Sequence, residues 1–141
     1  MKEPPTVANL MSRELIVARK TDSVGHAARI MSEAEIRHLP VVDEAGQLVG
    51  LLSQRDLLAC SDTHGRVRDL MSRDVLTVSP ETAAYEAALL LWTHKIGCVP
   101  VTGADGRLVG ILTEADFVRL CYVLLGGRAI IDDLKEEERA D

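Results

Sequence analysis

Apolar residues fall along this chain in short blocks, and the spacing within each block predicts an element. Leu15-Ile16-Val17-Ala18 is a run of β-favouring residues and reads as a strand. Val24, Ala27, Ala28 and Met31 then recur at three and four, the stripe of a helix with one buried face, ending near Ile36. Leu39 to Val42 and Leu48 to Leu52 are continuously apolar and flank the turn Asp43-Glu44-Ala45-Gly46, so they read as a hairpin. Gly at the end of such a turn accepts positive φ. A second helix is expected from Ser53. The order is strand, helix, strand, strand, helix.

The same pattern is written again 60 positions later. Met11-Ser12-Arg13 becomes Met71-Ser72-Arg73, Leu39-Pro40-Val41 becomes Val99-Pro100-Val101, and Asp56 becomes Asp116. Leu48-Val49-Gly50-Leu51-Leu52-Ser53 becomes Leu108-Val109-Gly110-Ile111-Leu112-Thr113, with no gap between Val7 and Leu120. In the second copy the first strand is Val75-Leu76-Thr77-Val78. Thr82, after Pro80, is placed to cap a helix from Ala83 to Lys95, whose buried face would be Ala84, Ala87, Ala88, Leu91 and Trp92. The hairpin Val99 to Thr102 and Leu108 to Leu112 turns at Gly103-Ala104-Asp105-Gly106, and the last helix runs from Thr113 to about Leu125, stopped by Gly126-Gly127.

A duplication of this length is an architectural unit. Each unit of roughly 60 residues is near the lower limit for independent folding, so the copies are expected to share a core. Strands that are apolar throughout need cover on both faces. The other copy, related by a pseudo-twofold axis, is the most economical cover. The expected fold is α/β in the α+β sense: two βαββα units packed pseudo-twofold. They span residues 7–60 and 67–125, and 126–141 forms an acidic C-terminal tail or an extra helix.

Composition narrows the function classes. Apolar residues make up 47% of 141 and charged residues 27%, a globular balance. No apolar run reaches the ~18–20 residues of a membrane span, and Met1-Lys2-Glu3-Pro4-Pro5 lacks the apolar core of a signal peptide. The net charge of −6 argues against nucleic acid and anionic membranes as partners. Tyr85, Trp92, Phe117 and Tyr122 are too few for a base-stacking platform. Cys60, Cys98 and Cys121 match neither a disulfide framework nor a metal spacing, which fits a reducing cytoplasm. Cys98 reads as a small buried apolar residue, and Met11, Met31 and Met71 as core or interface filler. His26, His64 and His94 have no metal-gathering spacing. A Walker loop, a GxGxxG and a supported Ser-His-Asp order are all missing, so no catalytic or metal-ligating residue is assigned.

Two tetrads carry the candidate chemistry: Ser53-Gln54-Arg55-Asp56 and Thr113-Glu114-Ala115-Asp116. Each stands where a strand gives way to a helix. Ser/Thr followed three residues later by an acid is a capping box, which satisfies free amides of the first turn. A helix N-terminus also attracts anions. A carboxylate there can accept both hydroxyls of a ribose while the Ser/Thr hydroxyl faces an attached phosphate. Capping and binding need not exclude one another.

With both tetrads, the Leu-Pro-Val and Val-Pro-Val strands and the Gly50 and Gly110 hairpins in duplicate, the chain resembles the tandem CBS-domain (Bateman) module over Val7 to Leu120. The resemblance implies adenosine-type ligands (AMP, ADP, ATP, S-adenosylmethionine or related dinucleotides) and no true cofactor. It places Asp56 and Asp116 on ribose, Ser53 and Thr113 near phosphate, and Val17-Ala18 and Thr77-Val78 beside the base. In such modules a site commonly takes its ribose Asp from one repeat and its phosphate-facing cations from the other. The first copy has Arg37-His38 and Arg55 where the second has Gly97-Cys98 and Ala115. The Asp116 site is therefore expected to be the phosphate-competent one, served by Arg37, His38 and Arg55. The resemblance further implies a regulatory sensor rather than an enzyme, cytoplasmic, acting as a homodimer or on a separate regulated protein. The helix faces around Met31 and Trp92 and the segment Gly126 to Leu134 are the candidate contact surfaces. A constitutive scaffold whose tetrads only cap helices stays open as an alternative, as does a small nucleotide-processing enzyme with His38 as its one candidate base.

Overall fold

The computed structural model describes residues 3–127. The acidic segment expected to form a tail or extra helix lies outside the described residues from 128 onward, as does most of the contact surface expected there. The first copy contains α1 (Val7–Leu10), α2 (Val24–Ala34), β1 (His38–Val42), β2 (Leu48–Ser53) and α3 (Gln54–Leu58). The second contains α4 (Val67–Leu70), α5 (Ala84–His94), β3 (Cys98–Thr102), β4 (Leu108–Thr113) and α6 (Glu114–Leu124). Each hairpin is antiparallel, with Val41 opposite Gly50 and Val101 opposite Gly110. Gly46 and Gly106 both adopt φ of 83° at the turn ends, as the turn sequence requires.

The expected first strands are reduced to one bridge each. Ala18 pairs in parallel with Val41, and Val78 with Val101. The reason lies upstream. Ser12 bonds Ile111 of the second copy, yet six residues later Ala18 bonds Pro40 and Val42 of the first. The chain crosses between copies over this stretch and cannot run along either sheet, so Leu15 and Leu76 stay partly exposed.

That crossing builds the core. One cluster joins Ala18, Ala27, Met31, Leu39, Val41 and Leu52 of the first copy to Val67 and Met71 of the second. Its mate joins Val78, Ala87, Leu91, Val99, Val101 and Leu112 to Val7 and Met11. Each copy thus lends its leading helical turn to the other's interior. Backbone bonds follow the same exchange: the Val7 amide donates to the Thr82 carbonyl at 2.8 Å, and the Val67 amide to that of Asp22 at 2.9 Å. The bridges Ser12–Ile111 and Ser72–Leu51 are mates under the 60-residue shift, and Gln47–Arg107 pairs a position with its own copy at the pseudo-twofold axis.

Gly50 and Gly110 serve this exchange rather than a turn. A Cβ built on Gly50 would stand 2.5 Å from the Met71 sulfur and 3.0 Å from the Ser72 carbonyl oxygen, and Gly110 meets Met11 and Ser12 at the same distances. Three expectations about the long helices change. Trp92 is 80% exposed, because the inward face of α5 is set by Ala84, Ala87 and Leu91. Met31 is buried and offers no contact surface. Thr82 does not cap α5; its hydroxyl accepts from the Ser79 amide, and the first helical amide, of Ala84, donates instead to Pro5 of the first copy. Among the described residues no helix is long and apolar enough to cross a membrane.

Candidate functional site

Both tetrads fold as capping boxes at the N-termini of α3 and α6. In the first copy the Ser53 amide donates to Asp56 Oδ2 at 2.8 Å, and the Asp56 amide donates to Ser53 Oγ at 3.1 Å. In the second, the Thr113 amide donates to Asp116 Oδ2 at 2.8 Å. The copies differ at the remaining carboxylate oxygen. Asp116 is buried, and its Oδ1 is held by the Arg119 guanidinium one turn along α6. The matching position, just after α3, is Ala59, and Asp56 Oδ1 accepts no hydrogen bond among the described residues. One acid is closed on its own helix; the other keeps an oxygen without a partner among the described residues.

Asp56 lines a cavity of about 740 Å³ at the junction of the copies. Arg37, His38, Ser53 and Arg55 share its wall. From the second copy come Gly97, Cys98 and Glu114, and from the crossing segment Asp74, Val75 and Leu76. Arg37, His38 and Arg55 therefore stand with Asp56, not with Asp116 as the sequence comparison suggested. Hairpin register is the cause: His38 lies opposite Ser53, and the Gln54 amide donates to the Arg37 carbonyl at 2.8 Å. Residues at the start of a hairpin are held beside the tetrad that ends it.

The other candidates are dispersed. Thr113 and Asp116 do not line this cavity. Ala18 and Val78 are buried in the two cores, and Val17 is absent from the wall. Thr77 lines a separate hollow of about 210 Å³ with Arg73 and Gly50. The apolar wall that sequence reasoning missed is Val75 and Leu76, and the missed charges are Asp74, Lys95 and Glu114. Glu114 was within reach of the reading, since it stands inside a tetrad. Asp74 and Val75 required knowing where the chain crosses.

Electrostatics separate half-buried His38 from buried Cys98. Burial holds the His38 imidazole below its usual range; Glu114 and Asp56 oppose this and Arg37 adds to it. Burial, assisted by Asp116, pushes the Cys98 thiol up to about 12, which leaves it protonated and unreactive. Among the described residues no group of His, Cys, Asp and Glu is placed to hold a metal ion.

A duplicated α+β pair with exchanged leading segments and a cavity of mixed lining at the junction defines a two-repeat module. The sequence profile described as CBS domain matches residues 7–62 and 67–122, and the chain belongs to that family. It is 37% identical to Arabidopsis thaliana CBSX2 in a structure solved with AMP, with a TM-score of 0.79, covering 85% of this chain and 98% of that one. It is 32% identical to the CBS domain pair of protein MJ0100, solved with 5′-methylthioadenosine and S-adenosyl-L-methionine, with a TM-score of 0.78, covering 84% and 96%. Among curated proteins it is 36% identical over 120 residues to a homoserine O-acetyltransferase of Methanococcoides burtonii, covering 82% of this chain. The chain spans 24% of that enzyme's length, and similarly small shares of the inosine-5′-monophosphate dehydrogenases it matches.

Proposed function

We propose that this chain is a regulatory sensor that binds an adenosine-type ligand in the Asp56 cavity. The observation that carries the reading is that Asp56, whose Oδ1 accepts no hydrogen bond among the described residues, lines a junction cavity whose wall also holds Arg37 and Arg55. A volume of about 740 Å³ suits a nucleotide. In this arrangement Asp56 takes the ribose hydroxyls, and Ser53 with the two arginines faces a 5′ substituent. Val75 and Leu76 offer apolar contact to the base, a step upstream of Thr77-Val78. The AMP and S-adenosylmethionine complexes of the similar CBS pairs support this ligand class. Asp116 is the weaker candidate for a ribose, which would have to displace Arg119 there.

The role is sensing rather than catalysis, and the activities of the longer relatives are not carried over. A cytoplasmic homodimer fits the outward faces of α5 and α6, where Tyr85, Leu89, Trp92, Val118 and Leu124 are exposed. A separate regulated protein is the other route by which occupancy leaves the module.

Thermal unfolding with AMP, 5′-methylthioadenosine and S-adenosylmethionine tests the site. A ligand at one hundred times its dissociation constant stabilises the fold by about 2.7 kcal/mol. Asp56→Ala is expected to abolish most of that gain, and Asp116→Ala to leave most of it. Equal losses in both variants overturn the assignment to Asp56. No stabilisation by any of the three ligands favours the scaffold reading, in which the tetrads only cap their helices.

A further inference from the structure

The two copies diverge in a matched way at the cavity. Where the first has Arg37-His38, the second has Gly97-Cys98. The match is physical, because the His38 ring lies across Gly97. A Cβ on that glycine would stand 3.1 Å from His38 Cε1 and 3.7 Å from Nε2. The absent side chain of one copy makes room for the imidazole of the other.

We propose that His38 selects among adenosine ligands in this cavity, taking up a proton as a 5′-phosphate enters and staying neutral beside an uncharged 5′ substituent. This inference rests on the reading of the Asp56 cavity as the ligand site. Arg37 and Arg55 are charged at every working pH and attract phosphate without discriminating by protonation. Histidine changes charge near neutrality. His94 also lines the cavity, but it is exposed and its Nδ1 lies 3.2 Å from the Leu90 carbonyl of its own helix.

The surroundings of His38 are poised for such a change. Asp56 on α3 and Glu114 on α6 favour the imidazolium, whereas Arg37 beside it and the loss of water disfavour it. Cys98 on β3 carries no charge, because its thiol stays protonated up to about 12. Arg55 at the start of α3, Lys95 at the end of α5 and Asp74 on the crossing segment complete the charges of this wall. Partial burial makes the ring harder to charge, and the two carboxylates lower that cost. A phosphate dianion supplies the remaining attraction. A methylthio group supplies none.

The sign follows from linkage. A group that binds a proton only in the complex makes binding tighter as pH falls, by up to tenfold per pH unit for one proton. The phosphate's own ionisation near pH ~6 acts oppositely, and equally in wild type and variants. Calorimetry of the full chain with AMP and with 5′-methylthioadenosine, in buffers of different ionisation enthalpy between pH 6.5 and 8, reads the uptake directly. AMP is expected to bind with uptake approaching one proton, and 5′-methylthioadenosine with none. In His38→Gln the AMP uptake disappears and the ratio of AMP to 5′-methylthioadenosine affinity falls and no longer rises as pH drops. Gly97→Ala, which pushes the ring from its seat without removing it, should weaken the same preference. Binding of both ligands with equal uptake in wild type overturns the role of His38 alone. No binding of either ligand overturns the site reading and this inference with it.

Discussion

Gly50 and Gly110 look alike in the sequence and in the structure, yet the reason for them is visible only in the latter. Each sits in a strand beneath a methionine of the other copy, and a methyl group there meets both the thioether and a backbone carbonyl. The side chain has some freedom to move, but the carbonyl has little. Gly110→Ala should therefore destabilise the fold by about 1–3 kcal/mol through overpacking. Gly65→Ala, whose new Cβ meets nothing nearer than 3.5 Å, should cost far less; urea denaturation of the two variants checks the contrast. Turn glycines such as Gly46 were legible because polar turn residues flank them. Gly50 read as part of a hairpin, since no pattern within one strand announces what passes over it. Cys98 gives a second residue-scale prediction. Its thiol is raised from the ordinary value of 9.0 to about 12, so between these values the unfolded chain loses a proton that the folded chain keeps. Folding stability from this group is intact below pH 9 and falls as pH rises, by up to about 1.4 kcal/mol per unit. Comparing wild type with Cys98→Ala in urea at pH 8 and 10 isolates it. The loss on raising the pH should be smaller in the variant.

At the scale of elements, the short helical turns α1 and α4 matter more than their four residues each suggest. Val7 and Val67 are fully buried, each in the core of the opposite copy. Truncating either to Ala removes about 2 kcal/mol of apolar burial, at ~0.8 kcal/mol per carbon plus a cavity term. The loss should appear in both copies at once. Amide exchange at Val41 and Val101 measures it, and the opening free energies at the two sites should fall together in Val67→Ala. A drop confined to the first copy would mean that the halves open separately. The sequence made the helix–hairpin–helix order of each copy, its turns and the capping boxes readable, because these follow from local periodicity and turn chemistry. The exchange was not readable. Met11 reads as core or interface filler, but nothing says against which copy, and the β-favouring runs at 15–18 and 75–78 read as strands where the chain is in transit. The same limit explains the cavity. Arg37 and Arg55 were picked out by comparing copies, but their pairing with Asp56 depends on hairpin register and on Arg119 closing Asp116, which is a contact within one helix turn.

For the molecule as a whole, the duplication is symmetric inside and asymmetric outside. Tyr85, Leu89 and Trp92 form an exposed apolar stripe on α5, whereas the same positions of α2 are Gly25, Arg29 and Ser32. In the proposed homodimer, the second copy's face is therefore the one that meets its twofold mate, since burying the arginine-bearing face would strand a charge. The residues that end α5, His94 and Lys95, lie on the wall of the ligand cavity. One helix thus touches both the proposed interface and the proposed ligand, and coupling between them has to be reciprocal. If AMP changes the dimer dissociation constant by some factor, dimerisation changes AMP affinity by the same factor. Sedimentation of the full chain with and without AMP gives the first quantity, and titrations well below and well above the dimer constant give the second. Trp92→Lys is expected to leave a monomer whose AMP affinity no longer varies with protein concentration, while Arg29→Ala leaves the dimer intact. A wild-type AMP affinity that is the same in monomer and dimer would mean that occupancy does not leave the module through α5, and a separate protein would then have to read the cavity directly.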